Sequence, residues 1–187
     1  MSPNRSRHST TCRILLGIGV GWLKEEFDAI GAAFENRGRR TDEYIAAMRE
    51  LWSADAPNFS GRYVSFKDAF MRPKPLNRSV PIIIGGHTEA AARRAGRLGD
   101  GFFPGRGLPM DLIETVHHAA RDAGREPGEV EITVGIPDDL SQLSDYAAAG
   151  VSRVLLPVTG VAGLARKVVG PEDLLAWRET IERYANL

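Results

Sequence analysis

The chain has 187 residues, of which 43% are hydrophobic and 26% charged, a composition that belongs to a folded domain with a buried core and excludes a disordered or fibrous chain. Lysine plus arginine and aspartate plus glutamate number 24 each, so nothing in the charge balance asks for nucleic acid or for an acidic membrane surface. The single cysteine, Cys12, excludes an internal disulfide and a thiolate metal cluster and fits a reducing, cytoplasmic setting.

In chain order, residues 1–12 are polar and basic and read as a disordered leader, with one domain expected over 13–187. The apolar run over 14–23 has the length of a signal-peptide core. It passes directly into Lys24-Glu25-Glu26 without a small-residue cleavage pattern and is too short to span a bilayer, so it is assigned to the domain. Residues 14–20 are continuously apolar with glycine interruptions, which predicts a strand covered on both faces. Helical spacing over 23–52 divides near Gly38; its second piece carries Tyr44, Ile45, Met48, Leu51 and Trp52 on one stripe, with Thr41 as N-cap. Over 58–66 a Ser60-Gly61 pair between aromatic residues predicts a short hairpin or a bulged excursion whose aromatics line or cover a site. A proline-rich, extended path over 71–81 leads into a strand at 82–84. Regular alternation follows: helix 88–98, strand 101–103, helix 110–123 stopped by Gly124, strand 130–136, helix 139–149, strand 151–157 and a last helix over about 171–184.

Five strands and at least five helices in βα order require a parallel sheet with right-handed crossovers. That fits part of a (β/α)8 barrel or a doubly wound, flavodoxin-like sheet, and periodicity does not choose between them. In both folds ligands sit at the carboxyl ends of strands, which selects three turns. Gly19, Gly21 and Trp22 either admit a planar ligand to the backbone, with the indole stacking on it, or form a tight turn with a packing tryptophan. Gly85-Gly86-His87-Thr88 places two glycines and a hydroxyl at a helix start, which is either a phosphate corner or a capped turn. Gly105 and Arg106 follow the next strand, where the guanidinium either meets an anion or is solvated. Asp138 and Asp139 are assigned to a helix cap. The histidines (His8, His87, His117, His118) have no metal-ligand spacing, and there is no P-loop, G-x-S-x-G elbow or dinucleotide fingerprint.

The segments RILLGIGVGWLKEEF, GRRTDEYIAAMRELW, FSGRYVSF, RPKP, PIIIGG and AARRAGRLGDGFFP together resemble, in order and spacing, the luciferase-like monooxygenase family. Gly-Val-Gly-Trp and Gly-Asp-Gly-Phe-Phe-Pro look most like its branch that uses the deazaflavin coenzyme F420. The resemblance implies a TIM-type (β/α)8 barrel of which this chain encodes the C-terminal five βα units, an open, partial parallel barrel whose first strand matches the family's fourth. It implies a cofactor, coenzyme F420 or FMN, with its phosphate at residues 85–88 and 104–107 and its ring against Gly19, Gly21 and Trp22. Family barrels bind phosphate after strands five and six rather than seven and eight, the more general barrel rule. A proton-transferring carboxylate near position 22 in some members is replaced here by Trp22, so no catalytic acid or base is carried over; Glu25 and Glu26 are the nearest carboxylates. The implied chemistry is hydride transfer to or from a small organic substrate. A barrel missing three strands exposes two sheet edges, which leads one to expect a homo-oligomer or completion by another chain. The alternatives are a non-catalytic, cofactor-binding remnant and a flavodoxin-like binding protein. Gly86→Val is expected to weaken cofactor binding and spare the fold.

Overall fold

The computed structural model describes residues 14–105, 107–156, 170–175 and 177–184. One parallel sheet contains β1 (Leu16–Ile18), β4 (Ile82–Gly85), β5 (Gly101–Phe103), β6 (Glu131–Gly135) and β7 (Val151–Leu155); β2 (Phe59–Ser60) and β3 (Ser65–Phe66) form a separate antiparallel hairpin. The helices are α1 (Lys24–Ala29), α2 (Arg37–Ser53), α3 (Glu89–Leu98), α4 (Met110–Asp122), α5 (Leu143–Ala148), α6 (Glu172–Leu175) and α7 (Arg178–Tyr184).

Strand order across the sheet is chain order, β1-β4-β5-β6-β7. A doubly wound sheet reverses direction at a switch point; this one adds every strand on the same side, as a barrel wall does. The flavodoxin-like alternative is thereby removed, and the chain forms an open partial barrel.

Register separates the two faces. Leu16, Ile18, Ile82, Ile84, Phe102, Ile132 and Val134 point toward the helices and pack with alanines of α3 and with Ile113, Val116 and Ala120 of α4. Burial of each branched side chain contributes about 1.5–3 kcal/mol, which makes this layer the main source of stability. The opposite face, a barrel's interior, is less apolar. Ile83 overlies Gly101, where an added Cβ would lie 2.5 Å from its Cδ1. Beside it Arg153 donates from Nη2 to Glu131 Oε2 (2.8 Å) and from Nη1 to Thr133 Oγ1 (3.2 Å). Between β6 and β7 the register slips at Ile132/Thr133, leaving Ser152 as the extra residue of a bulge; its hydroxyl accepts the Ile132 N–H at 3.2 Å.

Several expectations are corrected. The strand at 14–20 shortens to β1 at the sheet's edge rather than lying covered on both faces; Ile14 is 67% exposed because only β4 flanks it. The helical break falls at 30–36, not at Gly38, and Asn36 rather than Thr41 precedes α2. Gly38 sits in the first turn of α2, where a Cβ would stand 2.9 Å from Arg94 Nη2, so the glycine there serves close approach. The stripe on α2 is partly right: Ile45 and Trp52 are buried, while Tyr44 is 42% exposed. The helix over 139–149 opens as a 3-10 turn, Leu140–Gln142, capped by the Asp139 carboxylate accepting the Ser141 N–H, before α5 begins. The last helix is two pieces, α6 and α7. The leader over 1–12 and Pro157 lie outside the described residues.

Candidate cofactor-binding site

Parallel pairing brings the carboxyl ends of β1, β4 and β5 side by side. A Cβ built on Gly85 would lie 3.6 Å from Ile18 O on one side and 4.0 Å from Phe103 O on the other, and the Gly86 N–H donates to Phe103 O at 3.0 Å. Gly19, Gly21 and Trp22 leave this edge after β1, Gly86, His87 and Thr88 after β4, and Gly105 after β5. Arg106 lies outside the described residues.

At the middle corner Gly86 has φ +142°, and a Cβ there would stand 2.8 Å from Ala91 Cβ. Backbone conformation and the first turn of α3 both demand glycine. Gly86→Val would therefore disturb the corner itself, so the expectation that it spares the fold is withdrawn. Thr88 is extended (φ −122°, ψ 154°) and its Oγ1 accepts the Ala91 N–H at 3.3 Å, ordering a helix start whose other early N–H groups have no partner within the helix. His87 is exposed.

Along β1 and just after it the interior side is bare: among the described residues nothing lies within 4 Å of a Cβ added at Gly17 or Gly19. Trp22 is 79% exposed, and Glu25 and Glu26, in the first turn of α1, are exposed as well. Beyond β5, Gly105 (φ +91°) is exposed, and among the described residues nothing lies within 4 Å of a Cβ built on it. These glycines leave a shelf on which a flat or phosphorylated molecule can approach the backbone, so the residues present fit such a group. Sequence reasoning missed Arg37. Its Nε donates to Gly21 O (3.0 Å), its Nη1 to Phe34 O (3.2 Å), and its guanidinium lies 3.8 Å from the centre of the Phe34 ring. Arg37 stands just before the Gly38 that opens the GRRTDEY stretch, and nothing in its spacing shows which carbonyls it reaches.

Other features lie apart from this edge. A cavity of about 300 Å³ opens between β7, α5 and α7, lined by Leu143, Tyr146 and Ile181 among others. On α4, burial and the neighbouring Arg121 hold His117 below its ordinary pKa, while His118 Nδ1 is 2.9 Å from Asp122 Oδ2. Among the described residues no group of three His, Cys, Asp or Glu could hold a metal ion, and no helix is long and apolar enough to cross a membrane.

A singly wound parallel sheet with its glycine turns gathered on one carboxyl edge defines a wall of a β/α barrel. The luciferase-like monooxygenase family profile matches residues 8–156, and the chain belongs to that family. It is 36% identical over 121 residues to an F420-dependent glucose-6-phosphate dehydrogenase of Gordonia bronchialis, covering 63% of this chain and 36% of that protein. It is 39% identical over 95 residues to an FMNH2-dependent dimethylsulfone monooxygenase of Pseudomonas putida, covering 49% and 26%. The structure of an F420-dependent secondary alcohol dehydrogenase with an F420-acetone adduct superposes with a TM-score of 0.59 at 27% identity, over 76% of this chain and 46% of that one. The chain spans about half the length, or less, of the curated relatives it matches.

Proposed function

We propose that this chain forms the phosphate corner and one wall of the ring pocket of a luciferase-like oxidoreductase that uses coenzyme F420 or FMN on a small organic substrate. The observation that carries the reading is the alignment of the β1, β4 and β5 ends, which sets the Gly85–Gly86 turn and Thr88 beside the open Gly17–Gly19 shelf. Relatives named for either cofactor support both, and the choice between them stays with the experiment.

Once bound, such a cofactor supplies a ring that accepts or donates hydride. The chain's own residues do the rest. The backbone N–H groups at the start of α3, with the helix dipole behind them, hold phosphate oxygens, and the Thr88 hydroxyl adds a donor while its oxygen caps the helix. The shelf lets the ring lie against backbone, and Trp22 covers it from the side and excludes water. Walls beyond β1 would come from further βα units, as in a full-length barrel. A non-catalytic, cofactor-binding role is the second reading, favoured by the absence of any carboxylate at position 22.

Titration of the purified protein with F420 and with FMN, followed by fluorescence, tests this; failure of both to bind overturns it. Gly85→Ala is the companion variant, because its Cβ meets only ordinary contacts. It is expected to weaken cofactor binding about tenfold, the loss of about one hydrogen bond to a charged group, at an unchanged melting temperature.

A further inference from the structure

We propose that Arg37 is a positioning residue for the ring end of this site, fixing Gly21 and with it Trp22 at the end of β1; the inference rests on the cofactor reading above. Three side chains and one turn close a circuit. Arg37 bonds the Gly21 and Phe34 carbonyls and stacks on the Phe34 ring. Phe34 meets Phe27 edge-to-face with ring centres 5.3 Å apart. Phe27 returns to Gly21, where its Cε2 and Cζ lie 2.6 and 2.8 Å from the place a Cβ would take, at a backbone φ of +80°. Gly21 is thus held from two sides, by a charged donor on its carbonyl and by an aromatic ring against its α-carbon.

The circuit matters because little else holds this turn. β1 has three residues and pairs only with β4, α1 has six residues of which none is buried, and Trp22 touches solvent over most of its surface. Without Arg37 the turn from 19 to 23 would sample many positions, and a ring would have to order it on binding at an entropic cost. With Arg37 the order exists beforehand. A lysine cannot replace it, since one ammonium lacks the planar fork that reaches two carbonyls while stacking on a ring.

Arg37→Lys, with Phe34→Leu as a second variant that removes the stacking surface and keeps the carbonyl, separates this role from a general structural one. Hydrogen exchange read by mass spectrometry is expected to speed up over residues 19–36 in both variants and to stay unchanged over α3 and α4. Affinity for FMN or F420 is expected to fall about tenfold, one charge-assisted hydrogen bond, while competition by inorganic phosphate at the 85–88 corner stays as in the parent. Unchanged exchange over 19–36 overturns the proposal, and so does an equal loss for phosphate and cofactor, which would mark a global defect. If the parent binds neither cofactor, the functional reading fails, and the exchange result alone still decides whether Arg37 holds the turn.

Discussion

Glu43 fastens α2 to the β2–β3 hairpin through one carboxylate. Its Oε1 accepts the N–H groups of Tyr63 (2.6 Å) and Val64 (2.8 Å), and its Oε2 accepts that of Arg62 (3.0 Å). Desolvation pushes its pKa up, but these three donors and the Arg62 charge outweigh it and hold the group below its ordinary value. A depressed carboxylate stabilises fully above its unfolded pKa and loses that contribution as pH falls through the lower, folded one. Acidification below about pH 4.5 is therefore expected to loosen the hairpin, and Glu43→Gln to loosen it at neutral pH; hydrogen exchange over 59–66 measures both. Asp100 does similar work at the amino ends of the strands, accepting the Ile82 N–H at 2.9 Å beside Arg49, which also bonds Leu98 O at 2.7 Å. Asp100→Ala is expected to cost about 1–3 kcal/mol of stability on thermal unfolding, with cofactor affinity unchanged because the candidate site lies at the other end. Neither role was legible in the sequence. The partners are backbone groups on distant segments, and a string of residue types does not show which turn a carboxylate will reach. The Gly-Asp-Gly-Phe-Phe-Pro stretch, one segment of the family resemblance, divides between the two ends of β5.

The crossing of α3 with α4 depends on small side chains. Ala92, Ala95 and Gly96 face Val116, Ala119 and Ala120, and a Cβ on Gly96 would fall 2.3 Å from Val116 O and 2.8 Å from Ala119 Cβ. The alanine-rich run after the candidate phosphate turn is thus explained by helix packing. Arg94, 8% exposed, continues the crossing toward α2 by pairing with Asp42, which also accepts from Arg97 at 3.1 Å. Gly96→Val is expected to destabilise the protein by about 3 kcal/mol or more, or to prevent folding, because backbone lies in the way and cannot repack as a side chain does; thermal unfolding and soluble yield check it. Elements were largely legible at this scale, since 3.6-residue and two-residue periods record which face is buried. The errors had a common cause. Gly38 reads as a helix breaker and Thr41 as a cap because their local propensities say so, whereas in the helix Gly38 lies within the first turn beside the Arg94 guanidinium. Likewise β1 looked doubly covered because its composition matches a barrel's inner strands, and composition does not report how many neighbours a strand has.

For the whole molecule the governing feature is a sheet whose outer strands, β1 and β7, each pair on one side only among the described residues. Ile14 and Leu15 at the β1 edge are 67% and 40% exposed, and Leu155 on β7 is 43% exposed. Apolar edge strands favour addition of another strand, while the bulge at Ser152 and the Arg153 charge moderate the β7 side. Light scattering coupled to gel filtration is expected to show association that grows with protein concentration; a compact monomer, soluble at high concentration, would remove the need for a completing partner. The barrel type needed both the observed strand order and the six ordered motifs, since alternation alone allowed two topologies. That order also sets an assembly sequence. Each strand from β4 to β6 pairs with one that follows after a single crossover, whereas β1 must wait for the chain to pass two helices and a hairpin before β4 exists. Short loops close at a lower entropic cost than long ones, so β4–α3–β5–α4–β6 would form the folding nucleus and β1 would dock last. The turn that carries Trp22 is then the last to become native during synthesis and the first to fray afterwards.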